Sequence, residues 1–323
     1  MKNYISFLIV GCLIFFGCEG EAGSSNTAQQ VGLKSPDVEI KTASLNDSTF
    51  EKSYDFEQPS EVFSLPLALL EISGLSYYPP KKQLLAVNDE RGWLFFINPT
   101  TGEVDEKITF GGNGDYEGVE WTGSEVSIIK SNGNLYFYDI RKKESDEVQK
   151  TKLNSSNDIE GMAYRHEKNE LLIACKGNPN LEDSDKYKKT KAVYRYDLDK
   201  GKIKKKPFLK VEDKDLEKFV EELSEGKDWS KKQRKKFINR AKDFSPSGIA
   251  IHSVTKDYYL LSSQGKTLII FDTEKNLKSI IFLDAKIHRQ PEGICFAPNG
   301  DMYISNEGRG LGAKLMRYDY LKK

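Results

Sequence analysis

A short pattern of apolar and polar residues recurs five times along the chain. Each copy places a glycine ahead of alternating apolar positions, and the copies are centred on Gly74, Gly118, Gly161, Gly248 and Gly293. Three of the intervals between these glycines are 44, 43 and 45 residues long, and the fourth is 87. A repeat in the mid-forties is typical of one four-stranded blade of a β-propeller. The pattern therefore predicts repeated antiparallel sheets.

Each signature is followed by further apolar runs that tight polar turns separate. In the second unit, residues 125–131 and 134–140 flank the turn at Asn132-Gly133. Runs of this length, rich in Ile, Tyr, Phe and Leu around Asn-Gly turns, are typical of antiparallel hairpins. We therefore predict an all-β fold, a five-bladed β-propeller with four-stranded blades.

The 87-residue interval leaves room for a sixth blade. However, residues 190–210 supply the two outer strands of the third blade, and the pattern then changes over residues 212–243. Leu216 and Val220 stand at helical spacing there, and Ser230 has the position of a helix N-cap. We favour a small helical insertion at about residues 212–243, with six blades as the alternative.

The last unit ends after its third strand, which leaves the final blade incomplete. Residues 61–65, just before the first signature, resemble the outer strands of the other units. We predict that this N-terminal strand pairs with the last blade and closes the ring, since closure leaves no long unpaired edge. The propeller domain is predicted to span residues 56–323.

The N-terminus has the pattern of an export signal. Lys2 supplies a positive charge, and residues 5–16 form an apolar stretch too short to span a bilayer. The Gly-Cys pair that follows resembles a lipobox. Residues 1–18 are therefore predicted to be a lipoprotein-type signal peptide that ends at Cys18, and Cys18 is predicted to be acylated. Cys12 is the weaker acylation candidate, and an ordinary signal peptide or an uncleaved anchor is the alternative.

The polar residues 19–55 are predicted to form a flexible tether. The protein is then expected in the cell envelope, lipid-anchored to a membrane and periplasmic or surface-exposed, with no other membrane contact. The 49 basic and 49 acidic residues give no net charge that would favour nucleic acid as a partner. We expect a monomer whose two remaining cysteines, Cys175 and Cys295, are buried apolar residues.

The repeat register brings acidic residues of several blades to one mouth of the central channel. The residue before the signature glycine is Glu117, Glu160 or Glu292 in three blades, and the second strands end at Asp89 and Glu307 in two. Converging carboxylates repel each other unless a cation or a proton compensates them. Because oxygen ligands suit calcium, we predict a calcium site formed by these five residues, with a metal-free acidic rim or another metal as the alternatives.

Basic side chains are expected on the same face, and they are the candidate ligand-binding residues: Lys130, Lys176, Arg91, His288, Arg289 and Arg309. A metal and basic groups together can hold a phosphate ester. Ordinary charge pairing around the carboxylates is the alternative for each Lys and Arg, and a structural role is the alternative for His288. The sequence contains no Gly-x-Ser-x-Gly or His-Glu-x-x-His motif, which disfavours serine-hydrolase and zincin chemistry.

These motifs together resemble the SdiA-regulated propeller family. The resemblance rests on the five glycine signatures, on residues 88–91 and 157–161, and on residues 290–294 with 303–307. It extends over roughly residues 60–320, across several blades. The resemblance implies a five-bladed propeller of the bacterial envelope, a link to calcium responses, and a comparison with propeller phytases.

Two functions follow from these observations. In the first, calcium organises the acidic mouth, which binds a small-molecule or envelope ligand without turnover. In the alternative, the protein is a calcium-dependent, phytase-like phosphoesterase. No complete catalytic constellation is visible in the sequence, so binding is favoured and no catalytic residue is assigned.

Overall fold

The structure, a computed structural model, describes the backbone of residues 44–45 and the residues 53–181, 186–187 and 190–321. The predicted signal peptide with Cys18, and most of the predicted tether, lie outside the described residues. Within the described ranges, neither α-helix is long and apolar enough to cross a membrane.

Antiparallel strands form five sheets. Two strands precede the first complete blade, β1 (Ser44–Leu45) and β2 (Glu61–Ser64), and a short 3-10 helix follows at Leu67–Leu69. The first blade contains β3 (Ile72–Tyr78), β4 (Gln83–Asn88), β5 (Arg91–Ile97) and β6 (Val104–Asn113). The second contains β7 (Tyr116–Trp121), β8 (Val126–Lys130), β9 (Asn134–Asp139) and the short edge strands β10 (Glu144–Ser145) and β11 (Gln149–Lys150).

The remaining blades follow the same order from the inside of the ring to the outside. The third contains β12 (Ile159–Arg165), a 3-10 helix (His166–Lys168), β13 (Glu170–Cys175), β14 (Thr190–Asp197), β15 (Lys202–Ile203) and β16 (Leu209–Glu212). After α1 (Asp213–Ser224) and α2 (Lys231–Lys242), the fourth contains β17 (Pro246–Ile251), β18 (Tyr258–Ser262), β19 (Thr267–Phe271) and β20 (Leu277–Phe282). The fifth contains β21 (Pro291–Phe296), β22 (Met302–Asn306) and β23 (Lys314–Tyr318).

The innermost strands close a ring of five. Strand β3 contacts β7, β7 contacts β12, β12 contacts β17, β17 contacts β21, and β21 contacts β3 again. The fourth strand of the last blade is β2, which places Glu61 opposite Arg317 and Ser64 opposite Lys314. The five blades and the closure by an N-terminal strand are confirmed, and the six-bladed alternative is wrong.

The long interval between signatures holds the predicted helical insertion. The hydroxyl of Ser230 accepts a hydrogen bond from the backbone N–H of Gln233, and the side-chain oxygen of Gln233 accepts one from the backbone N–H of Ser230. The predicted N-cap therefore forms a capping box. Buried residues of both helices, among them Val220 and Phe237, pack in one core cluster with Phe282 of the fourth blade. The insertion therefore covers apolar surface of the blades that it separates.

The signature glycines lie where neighbouring inner strands approach most closely. A methyl carbon built on Gly293 would lie 2.5 Å from the carbonyl oxygen of Ser73, and one built on Gly248 would lie 2.5 Å from that of Glu292. Only a residue without a Cβ fits at these positions. In all five inner strands the pairing register shifts at the signature, which is a β-bulge. The bulge includes the residue before the glycine and turns it towards the channel.

The packed domain begins earlier in the chain than predicted. Tyr54, which the sequence analysis assigned to the tether, is 1% exposed. Its hydroxyl lies 2.7 Å from Nε2 of His252 and donates a hydrogen bond to the carbonyl oxygen of Gly300 at 2.6 Å. Packing therefore extends to residues before the predicted boundary at residue 56, because the aromatic ring of Tyr54 fills the space between the last two blades. The backbone of β1 also pairs with β20, placing Ser44 opposite Ile281.

Candidate functional site

The mouth of the central channel contains a pocket of about 220 Å³. The first strand of each blade begins at this face and the second strand ends at it, so residues of several blades meet here. We call it the acidic pocket, and its lining consists of Glu71, Ile72, Ser73, Asp89, Glu117, Glu160, Lys176, Gln290, Glu292, Glu307 and Arg309. Below it, between the signature glycines, the free volume narrows to about 10 Å³. The glycine ring therefore forms a floor under the pocket.

All five carboxylates of the predicted calcium site line the acidic pocket. Glu117, Glu160 and Glu292 reach it from the β-bulges of three inner strands. Asp89 follows the end of β4, and Glu307 follows the end of β22. The common register of the blades thus brings residues from distant parts of the sequence to one place.

Burial dominates the electrostatics of these carboxyl groups. It raises the pKa of Glu160 to about 7, against the opposing effect of the Lys176 ammonium. It raises the pKa of Glu292 to about 8, to which the charges of Glu160 and Glu307 add. Burial and the charge of Glu160 also raise the pKa of Glu117 well above its usual range. Part of the negative charge is therefore held as protonated acid near neutral pH.

The pKa values of two further carboxyl groups of the acidic pocket, Asp89 and Glu307, are also raised. Burial raises the pKa of Asp89 to about 6, and the nearby charge of Glu71 raises it further. Burial raises the pKa of Glu307 to about 7, with a hydrogen bond to the carboxyl group of Glu71 as the next contribution. Oδ1 of Asp89 is buried and has no hydrogen-bond partner among the described residues.

Few donors offset this charge. The hydroxyl of Ser73 donates a hydrogen bond to Oε2 of Glu117 at 2.5 Å. The ammonium of Lys176 lies 2.5 Å from Oε1 of Glu160. The side-chain amide of Gln290 donates to Glu307, whose Oε1 lies 3.6 Å from Nε of Arg309. Six carboxylates but only two cationic side chains line the pocket, so it is strongly acidic.

The carboxylates surround the pocket instead of meeting at one point. Within the part of the chain that the structure describes, no three acidic, histidine or cysteine side chains converge as ligands of one metal ion. Their oxygen atoms are nevertheless the donors that calcium prefers, and calcium accepts water among its six to eight ligands. The donor chemistry therefore fits calcium, whereas the positions of the carboxylates form no direct ligand cluster among the described residues.

A second pocket of about 290 Å³ opens beside the first. We call it the basic pocket, and its lining consists of Lys176, Ser245, Ser247, Ser263, Gln264, Lys266, Gln290, Glu292 and Arg309. Three cationic side chains face a single carboxylate here, which reverses the charge balance of the acidic pocket. Lys176, Gln290, Glu292 and Arg309 line both pockets, so the two adjoin each other.

The model of the family described as SdiA-regulated matches residues 52–309 of the chain. The chain belongs to the SdiA-regulated family. The matched region contains all five glycine signatures and every residue that lines the two pockets. The resemblance inferred from the sequence is thereby confirmed.

Two solved structures that are similar to this SdiA-regulated propeller are distant from it in sequence. The PQQ-bound aldose sugar dehydrogenase of Streptomyces coelicolor is 10% identical, with a TM-score of 0.46 over 81% of this chain and 97% of that one. A chain of a nidogen/laminin complex is 9% identical, with a TM-score of 0.44 over 73% of this chain and 72% of that one. None of the curated proteins matches the chain.

Two of the six basic residues predicted for the SdiA-regulated propeller line its pockets, namely Lys176 and Arg309. Lys130 instead places its ammonium 4.5 Å from the ring centre of Tyr116. The guanidinium of Arg91 stacks on an indole, 4.7 Å from the ring centre of Trp93. Both cations are occupied by aromatic faces outside the pockets.

The predicted placement of His288 at the mouth is wrong, and Arg289 lines neither pocket. His288 is fully buried, and its Nε2 lies 2.6 Å from the hydroxyl of Tyr318. The backbone N–H of His288 donates to the carbonyl oxygen of Asp284, a turn that directs the ring between the last two blades. Burial lowers the pKa of His288 to about 3, so the ring is neutral at physiological pH. Arg289, one position later, is exposed to solvent.

Two charged lining residues, Glu71 and Lys266, were not predicted from the sequence. Glu71 directly precedes the first signature, and its position next to Ile72 was the available signal. Lys266 follows the tight turn at Gln264-Gly265, on the same face as the predicted site, with a backbone φ of 49°. A hairpin turn on the mouth face was a signal for Lys266, although the sequence alone does not give the direction of its side chain.

Proposed function

We propose that this SdiA-regulated propeller is a binding protein whose channel mouth takes up calcium and a small-molecule or envelope ligand without turnover. The observation that supports the proposal is the excess of six carboxylates over two cations around one pocket. Bringing these charges together destabilises the fold unless protons or a cation neutralise them. Calcium is the cation proposed, because the donors are carboxylate oxygens.

The raised pKa values explain how uptake would work at neutral pH. Since the pKa is about 7 for Glu160 and about 8 for Glu292, a bound cation competes with protons in this range. The three bulge residues Glu117, Glu160 and Glu292 would hold calcium together with part of its water. When bound, calcium supplies positive charge that an anionic ligand group can share.

The enzyme alternative, a calcium-dependent phytase-like phosphoesterase, has less support from the pocket residues. No histidine is among the residues that line the two pockets, and His288 contacts Tyr318 instead. The acidic pocket does contain carboxyl groups that keep a proton at neutral pH, among them Glu292. Calcium-dependent hydrolysis of a phosphomonoester, phosphodiester or inositol phosphate, abolished by Glu160→Gln, would favour the enzyme over the binding protein.

The location of the protein is also part of the proposal. Acylation at Cys18 would anchor the propeller to a membrane of the cell envelope through residues 19–52. We expect the native protein to sediment with membranes and the Cys18→Ala variant to stay unprocessed or to be released. Unchanged processing and sedimentation of this variant would contradict a lipid anchor.

Calcium binding is tested by calorimetry and by thermal unfolding of the full-length chain in detergent. A calcium concentration one hundred times the dissociation constant is expected to stabilise the native state by about 2.7 kcal/mol. Magnesium is expected to do less, because it sheds its water reluctantly. The double variant Glu160→Gln/Glu292→Gln should lose the effect. The matched control is Glu106→Gln, whose side chain is 41% exposed and pairs with Lys81.

The proposal fails if calcium gives the wild-type chain neither a binding heat nor a change in melting temperature. It also fails if Glu106→Gln weakens calcium binding as much as the double variant does. In either case the acidic mouth would be structural, or a contact surface for a basic partner.

A further inference from the structure

The two pockets at the channel mouth differ in charge, because carboxylates predominate in the acidic pocket and cations in the basic pocket. In the basic pocket, Lys176, Lys266 and Arg309 stand against one carboxylate, that of Glu292. The same lining supplies three serine hydroxyls and two glutamine amides, which are neutral hydrogen-bond donors. A pocket rich in cations and neutral donors is matched by a group with several acceptor oxygens and negative charge.

Lys266 is the cation in this pocket that forms no ion pair among the described residues. Among the ion pairs of the described residues, none involves Lys266, and its ammonium donates to the backbone carbonyl oxygen of Ser263. Lys176 and Arg309, by contrast, pair with Glu160 and Glu307. Burial lowers the pKa of Lys266; the charge of Glu292 opposes this shift, and the charge of Arg309 adds to it. The ammonium of Lys266 is therefore available to an anion from solution.

The wall that carries Lys266 is held in place by the helical insertion. Arg240 of α2 donates hydrogen bonds to the carbonyl oxygens of Gly265 at 2.9 Å and Lys266 at 3.0 Å, and also to that of Leu283. On the other side of the turn, Oγ of Ser262 accepts a bond from the backbone N–H of Gly265. The basic pocket is thus a built feature of the fold, with main-chain anchors on its loop.

We propose that the basic pocket binds the phosphate group of a phosphorylated ligand, with Lys266 as its principal cation and calcium beside it in the acidic pocket. Three cations and five neutral side chains suit a group with three or four acceptor oxygens and up to two charges better than a carboxylate. The part of the inference that concerns calcium rests on the proposed function. The part that concerns Lys266 stands on the basic pocket alone.

The test is calorimetry on the full-length chain in detergent, with inorganic phosphate as the probe and with calcium absent or present. We expect phosphate to bind, and Lys266→Met to weaken it at least about tenfold, which corresponds to about 1.4 kcal/mol. Calcium affinity of this variant should not fall, because the substitution removes a positive charge that interacts with Glu292. Lys286→Met is the matched control, because Lys286 is an exposed lysine near the same two blades and should change neither affinity.

A melting curve shows whether Lys266→Met is folded, and Ser263→Ala provides a second, smaller change in the same lining. Phosphate that fails to bind with or without calcium overturns the inference, while calcium binding by itself leaves the proposed function intact. Phosphate that binds equally to wild type and Lys266→Met also overturns it. Phosphate binding through Lys266 without any calcium binding supports the basic pocket and contradicts the proposed function.

Two sources of the phosphate group are separated by two further probes. Glycerol phosphate, a monoester, represents small phosphorylated metabolites, and glycerophosphoglycerol, a diester, represents a lipid headgroup. Preference for the monoester assigns the pocket to a free phosphorylated molecule, and preference for the diester assigns it to a headgroup. Binding of either one must depend on Lys266, and independence from Lys266 would contradict the proposal.

Discussion

The ammonium of Lys176 lies 2.5 Å from Oε1 of Glu160, and Lys176 lines both the acidic and the basic pocket. This single side chain therefore neutralises the proposed cation site and contributes charge to the proposed phosphate site. Its ion pair is a point where the two pockets influence each other.

Replacing Lys176 by Met is expected to change the two affinities in opposite directions. Calcium should bind about tenfold more tightly, because a competing cation is removed from Glu160, and phosphate about tenfold more weakly. The side chain is 42% exposed, so solvent screening limits both effects. Calorimetry with each ion measures them, and Lys176→Arg, which keeps the charge, is the control. Changes in the same direction for both ions would contradict the assignment of calcium to the acidic pocket and of phosphate to the basic pocket.

A second prediction concerns Glu120 of β7, two residues after the signature glycine Gly118. Burial raises its pKa to about 8, although the hydroxyl of Ser76 donates a hydrogen bond to it at 2.8 Å. Because the folded-state pKa is above that of the unfolded chain, protonated Glu120 stabilises the fold at low pH. This contribution is lost as the pH rises from the ordinary value of 4.5 through about 8.

The variant Glu120→Gln should remove the pH dependence of stability that the titration of Glu120 causes. One proton contributes a slope of up to about 1.4 kcal/mol per pH unit to the free energy of unfolding between the two pKa values. The variant should therefore be more stable than wild type at pH 8 and nearly equal to it below pH 5. Unfolding by urea across this range measures the difference, with Glu106→Gln as an exposed control. A parallel shift at every pH would show that the titration of Glu120 is not the cause.

The close approach of the inner strands gives a third prediction. A Cβ at position 293 would lie 2.5 Å from the carbonyl oxygen of Ser73 and 2.6 Å from Oγ of Ser305, so Gly293→Ala must displace backbone. We expect a loss of about 1–3 kcal/mol or more in the free energy of unfolding. Gly112→Ala is the matched control, because nothing lies within 4 Å of a Cβ there. Equal stability of the two variants would contradict the close contact in the glycine ring.

The fourth prediction tests the N-terminal boundary of the domain. Tyr54→Phe removes the hydroxyl that bridges His252 and Gly300, and should cost about 1 kcal/mol. Tyr54→Ala also removes a buried ring and should cost about 3–5 kcal/mol. Thermal and urea unfolding of the two variants separate the hydrogen bonds from the packing. If Tyr54→Ala unfolds like wild type, residue 54 belongs to the tether after all.

Local patterns in the sequence determined the blades. The spacing of Gly74, Gly118, Gly161, Gly248 and Gly293 reports a repeated supersecondary unit, and such a unit needs only its own strands and its neighbours. The helical spacing after residue 212 and the capping residue Ser230 are equally local. The convergence of Glu117, Glu160 and Glu292 could also be predicted, because equivalent positions of a symmetric ring must meet at its axis.

Only the tertiary structure decided how the mouth is divided and which cations belong to it. The burial that raises the pKa of Glu292, and the contact of His288 with Tyr318, depend on side chains that are distant in sequence. The same holds for Lys266, whose loop is held by Arg240 across an insertion of different periodicity. Sequence spacing gives the blade and the face of a residue. The direction of its side chain is set by packing between blades, because only there do the competing contacts and the loss of water become defined.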